Sequence, residues 1–384
     1  MKKILITALV TAAMGSLAQA GSISLDTRTD IESKNFNDAY NTRGYSRIDL
    51  QTLRVDAKGN FSDATSFRLR FLLNKSAYNN ATNTLNTQPL ADYPVNAKDN
   101  LSDRINFAYV QQKLGDNLSL QLGKLFFDIG GIEGGTSGAD LYFTSYAFNE
   151  QSILRYATGA KLIYMMGDQE FNVSAVNQQT DAATTPVTIP TPTPATLPLN
   201  FDQNHQAFGL VYKGSFLDKT LLPIVSYHTD SVQSTDAAPY VAGKTTSSLD
   251  KKYDYYTVGL KYDFNPMFVE LDYVLNNLKS KTVDGETDAT STLVGTLGYK
   301  MENWVAKLKY ETTTAQVATG VGASRKDQVN AYQIAAEYMP TGDKNLRYHF
   351  AYVSRDTKPD IAGVGTKTDQ TALVGVRLLA DFLK

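Results

Sequence analysis

Arg68 and Arg70 stand two residues apart in a stretch that also carries Phe67, Leu69 and Phe71. On an extended chain, residues i and i+2 share a face, so the two guanidinium groups would project together, away from the apolar side chains. Lys307 with Lys309 and Arg347 with His349 repeat the arrangement. Such paired cations can attract and steer anions, but they provide no nucleophile. Reaction chemistry has little else to draw on. The chain has no cysteine, which excludes thiolate sites and disulfides. Its histidines are His205, His228 and His349, and no two have the i, i+4 spacing of a helical metal site. No catalytic residue, metal or cofactor is therefore expected. Hydrolytic activity that disappeared in His349→Ala would overturn that expectation.

The elements that must position these charges are two-faced strands. Leu118, Leu120 and Leu122 alternate with Ser119, Gln121 and Gly123. Val258, Leu260 and Tyr262 alternate with Gly259, Lys261 and Asp263, and Leu308 and Tyr310 with Lys307, Lys309 and Glu311. Soluble sandwiches do not place Lys and Arg so regularly on the second face of long strands. Negative mean hydropathy excludes helical membrane spans but not strands of this kind. Short turns, such as Gly115-Asp116-Asn117, Gly167-Asp168 and Asn265-Pro266, carry residues that accept tight dihedrals. They alternate with long polar connections at 76–101, 127–151, 179–202, 233–251, 314–327 and 357–368. The fold class expected is an all-β, transmembrane antiparallel β-barrel of about 16 strands, with short turns at one end and long loops at the other. Ile48 and Leu50 fall out of phase with Leu53 and Val55, which predicts a bulge near Thr52. Tyrosines near strand ends, among them Tyr142, Tyr164 and Tyr299, are expected to form interfacial girdles.

Lys2 and Lys3, the apolar run from Ile4 to Ala13 and the Ala18-Gln19-Ala20 triplet read as a secretory signal at residues 1–20, leaving one barrel domain over 21–384. Acidic residues outnumber basic ones, 39 to 37, and the signal takes two lysines with it. This balance excludes nucleic acid as a partner.

Ile105 to Val110, the turn at 115–117 and Leu118 to Gly123-Lys124 resemble the paired strands that precede the third loop in the Gram-negative general porins. Ile132-Glu133-Gly134-Gly135 is similar to the acidic, glycine-rich turn of that loop. Lys124 stands where the family usually has Arg, and Lys384 follows Phe382-Leu383 where it usually ends on an aromatic residue. The resemblance implies a homotrimeric outer-membrane porin in contact with lipid and lipopolysaccharide. Small hydrophilic solutes and ions would pass through it, and the loop at 127–151 would fold into the barrel. Its acidic residues, Asp128, Glu133, Asp140 and Glu150, would face a basic wall across the narrowest point. Strand phase, with the resemblance for Lys124, gives the pore-lining basic set as Arg68, Arg70, Lys124, Arg155, Lys161, Lys261, Lys307, Lys309, Arg347 and Arg377. The acidic set is Glu270, Asp272, Glu311, Glu337 and Asp381. Two other readings stay open: a substrate-selective channel for anions or sugars, and a structural, adhesin or receptor barrel. Solute block of the conductance and a closed pore, respectively, would reveal them. The prolines at 186–198 would stiffen one external loop.

Overall fold

The computed structural model describes residues 20–37, 42–73, 105–127, 130–151, 156–177, 206–234, 249–280, 287–320, 323–342, 345–360 and 364–383. Residues 1–19 of the expected signal, Asp128, Arg155 and the prolines at 186–198 lie outside them, as does the side chain of Glu150.

Sixteen antiparallel strands form one closed barrel in which every strand pairs with its chain neighbours and β1 (Ala20–Asn37) pairs with β16 (Lys367–Leu383). Closure leaves no strand edge unpaired. Polarity is inverted relative to a soluble protein. Along β13 (Trp304–Gly320), Leu308 and Tyr310 are 50% and 49% exposed, whereas Lys309 and Glu311 are 4% and 0% exposed. Apolar side chains face outward and charged ones face the lumen, as a bilayer requires.

Two-residue turns close one end of the barrel. Gly167-Asp168 joins β6 (Tyr156–Met166) to β7 (Gln169–Asn177), with Gly167 at φ 60°. Asn265-Pro266 joins β10 (Leu249–Phe264) to β11 (Met267–Ser280), and Glu302-Asn303 joins β12 (Thr287–Met301) to β13.

Three expectations change or sharpen. β13 and β14 (Ala323–Tyr338) occupy most of the stretch expected to be a loop at 314–327. Backbone pairing continues there, although Thr, Gln and Ala have replaced the apolar outward residues on which the periodic signal depends. In β2 (Thr42–Asn60), Arg28 pairs with Thr52 and Thr29 with Leu50, so Gln51 is the bulged residue. The bulge lets Ile48, Leu50, Leu53 and Val55 all face away from the lumen. Tyr142 is buried inside the barrel and takes no part in an interfacial girdle.

Candidate functional site

The segment 130–151 lies within the barrel as one helical turn, α1 (Ile132–Gly135), a 3-10 turn (Gly138–Asp140) and a short helix, α2 (Tyr146–Gln151). It meets the wall through a close approach that glycine makes possible. A Cβ on Gly131 would lie 1.9 Å from the Asp272 Oδ1, and one on Gly259 would lie 2.4 Å from the same atom. In the space so kept, Asp272 on β11 accepts the backbone N–H groups of Ile132 at 2.7 Å and Glu133 at 2.8 Å. These are donors that the first turn of a helix leaves without internal partners.

Further along, the loop is fastened by charge. Glu133 accepts from Lys309 Nζ at 2.7 Å and from the Ser145 N–H at 2.9 Å. Lys309 and Glu133 are both buried. Removing either partner of such a pair strands the other charge, at a cost of about 3–5 kcal/mol. Tyr142 donates its hydroxyl to Glu337 at 2.8 Å, and the Tyr146 N–H donates to Glu311 at 2.6 Å.

Arg28, Arg377 and Arg347 lie abreast on β1, β16 and β15 (Leu346–Lys358), since Arg377 is the register partner of both others. Like charges directly across a sheet repel. The loop supplies counter-charge: Asp140 pairs with Arg347 at 2.7 Å and with Arg377 at 2.5 Å. The carbonyl of Leu141 accepts from Arg28 at 2.8 Å, and that of Ala139 accepts from Arg28 and Arg347. Acids of the wall complete the cluster, with Asp26 bound to Arg377 and Arg54, and Asp30 to Arg28 and His349. Burial alone would raise the Asp140 carboxyl. The neighbouring Arg377 and Arg347 outweigh it and hold the pKa below its ordinary value.

The expected site residues therefore divide. Lys261, Lys307, Lys309, Arg347 and Arg377 all lie on the lumen face and are ion-paired, as are Glu270 with Lys261 and Glu337 with Lys307. Arg68 and Arg70 on β3 (Thr65–Leu72) both hold Asp56 and stack on Phe107, with guanidinium carbons 4.4 Å and 4.6 Å from its ring centre. Lys161 is buried between Gln121 and Ser174 in the register. Asp381 is exposed near the end of β16.

Two expectations are corrected. Lys124 on β5 (Leu118–Phe126) pairs opposite Ala108 and Thr158, on the outward face with exposed Leu122, while its neighbour Leu125 is fully buried in the lumen. The strand's own phase excludes Lys124 from the lumen. Second, Glu133 and Asp140 do not face basic residues across an opening but touch them. The charges on β1 and β2, Asp26, Arg28, Asp30 and Arg54, were missing from the sequence-derived set. Their signal was the polar stripe at 26, 28, 30 and 32, obscured because Thr27 and Thr29 weaken the apolar face opposite.

Among the described residues no cluster of metal-ligand type occurs. Between the loop and the wall on the short-turn side lies a cavity of about 600 Å³.

Residues 23–382 match the family described as phosphate-selective porin O and P. The chain belongs to that family. It is a porin of the bacterial outer membrane, and its barrel is the channel. No curated protein sequence gives a significant match. Among solved structures, the porin is similar to the in-vitro folded OmpT, an outer membrane protein of Vibrio cholerae, in its trimer form. The TM-score is 0.58 at 13% identity, covering 94% of this chain and 100% of that one. The anion-selective porin from Comamonas acidovorans gives 0.59 at 11% identity, covering 93% and 98%. The outer membrane channel DcaP of Acinetobacter baumannii gives 0.56 at 14% identity, covering 92% and 96%. At such identities the likeness concerns the fold of the porin alone.

Proposed function

We propose that the porin passes small hydrophilic ions and solutes by passive diffusion beside the seated loop, with a modest preference for anions. The observation that carries this reading is the state of the loop's charges. Glu133 and Asp140 are taken up by wall cations, so they add little net negative field to the path. Arg68 and Arg70, by contrast, share a single acid, Asp56, and keep partly exposed guanidinium groups. A wall with surplus positive charge lowers the barrier for anions. In a potassium chloride gradient across a planar bilayer, the reversal potential should have the anion sign and move toward zero in the Arg68→Gln/Arg70→Gln double variant. A cation-selective wild type, or selectivity unchanged in the variant, would overturn the proposal.

The arginine row of Arg28, Arg377 and Arg347 favours a second reading, a channel with a saturable site for phosphate-like anions. The anion-selective character of the Comamonas acidovorans protein fits this reading too. Conductance that saturates with phosphate but not with chloride separates the two readings, and a barrel closed in bilayers would point instead to an adhesin or receptor. Trimeric assembly amid lipid and lipopolysaccharide, and export by a signal at residues 1–20, belong to the same proposal. The trimer form of OmpT and the outward apolar band support it. The barrel acts as a channel and not as a catalyst; hydrolysis sensitive to His349→Ala would contradict that.

A further inference from the structure

The cavity on the short-turn side of the loop differs from the rest of the lumen in two respects. First, inward positions there carry apolar side chains. Phe268, Val305, Met339 and Leu379 line it, although the same faces of their strands carry Glu270, Lys307, Glu337 and Arg377. Outward apolar residues are required by lipid, but inward ones have no such reason in a water-filled lumen. Second, beside the exposed Glu302 and the Asp140 carboxylate shared by Arg347 and Arg377, it holds two partly exposed neutral pairs. Lys261 holds Glu270 at 2.6 Å, with 32% and 21% of the side chains exposed, and Lys300 holds Asp263, with 41% and 31% exposed.

Phe268 joins the two features. Its ring lies across Gly298, where a Cβ would be 2.0 Å from a ring carbon, and the ammonium groups of Lys261 and Lys300 approach the ring centre to 5.3 Å and 5.5 Å. An apolar surface is thus flanked by two ammonium–carboxylate pairs, all partly wet. Exposed pairs of this kind contribute little to stability and exchange partners readily. A solute carrying both an ammonium and a carboxylate can insert into such a pair, each of its ends replacing one member. A simple anion can satisfy only half of the pair, and a neutral sugar neither half.

We propose that this chamber is a low-affinity site for zwitterionic solutes with an apolar side chain, namely amino acids and short peptides. The inference rests on the channel reading above and adds a solute class to it. The test is single-channel recording on the full-length protein with the dipeptide alanyl-phenylalanine, its N-acetylated amide, glycyl-glycine, glucose and inorganic phosphate. Alanyl-phenylalanine should block the current saturably. The half-blocking concentration should be about tenfold higher for the uncharged derivative, which has lost its charge-assisted contacts, and also higher for glycyl-glycine, which lacks the apolar group. Lys261→Gln/Glu270→Gln should weaken dipeptide block while leaving heat-modifiable mobility intact, and Phe268→Leu should weaken block by alanyl-phenylalanine more than block by glycyl-glycine. Open channels indifferent to the dipeptide, or blocked equally by its uncharged derivative, would overturn this inference and leave the channel reading standing. Absence of any conductance would overturn both.

Discussion

Three arginines at adjacent register positions would repel one another in an empty lumen. What makes Arg28, Arg377 and Arg347 tolerable as a row is counter-charge from wall and loop together: Asp30, Asp26 and Glu337 each hold one of them, and Asp140, the loop's charge there among the described residues, bridges Arg377 and Arg347. Asp140→Asn is therefore expected to move the reversal potential toward anions. The pH dependence of this shift follows from the direction of the Asp140 pKa. A carboxyl whose folded pKa lies below its ordinary 3.8 keeps its full stabilising contribution above that value and loses it only as pH falls through the lower, folded one. The selectivity difference between wild type and Asp140→Asn should thus be constant from about pH 7 to about pH 4 and shrink only below that. A difference already gone at about pH 6 would contradict the ion pairing described. Which residues face the lumen was legible from strand phase; which residues pair was not. Arg377 and Asp26 stand 351 positions apart in the chain yet touch, and no local pattern records such a contact. Lys124 shows the reverse failure, since the phase of β5 was clear and the resemblance to a family motif overrode it.

At the level of elements, strands were readable wherever lipid imposes an apolar face, and unreadable where pairing continues beyond it. This is why the hairpin of β13 and β14 reaches well into a stretch that reads as loop. The bulge at Gln51 was visible because it changes the phase of the outward residues, which is what the signal measures. It also yields a prediction. Deleting Gln51 removes the unpaired residue and keeps Ile48 and Leu50 facing outward, so the variant should fold with wild-type yield. Deleting Leu308 from the regular strand β13 forces a phase change that turns charged residues such as Lys307 or Lys309 toward lipid, at about 2–4 kcal/mol each near the bilayer centre. Refolding yield, read from heat-modifiable mobility, should fall sharply for the second deletion and not for the first.

For the whole molecule, barrel and loop are separable in energy. Closure comes from backbone pairing all the way round, whereas the loop is held by side chains that water could solvate if it left. Replacing residues 132–148 by a short glycine linker is therefore expected to leave a folded, heat-modifiable barrel with higher unitary conductance and weaker solute discrimination. Loss of the folded form would show instead that the loop is part of the barrel's core.

Arg377 binds the first strand through Asp26 and the loop through Asp140, from a position on the last strand. The residues that receive the loop on this side come from both ends of the chain, so the receptor surface for Asp140 and its flanking carbonyls is complete only when β16 lies beside β1. Seating the loop is thereby a readout of closure. A barrel truncated before β16 would lack one arginine of the row and the strand that aligns the other two, and its loop would have no finished surface on which to settle.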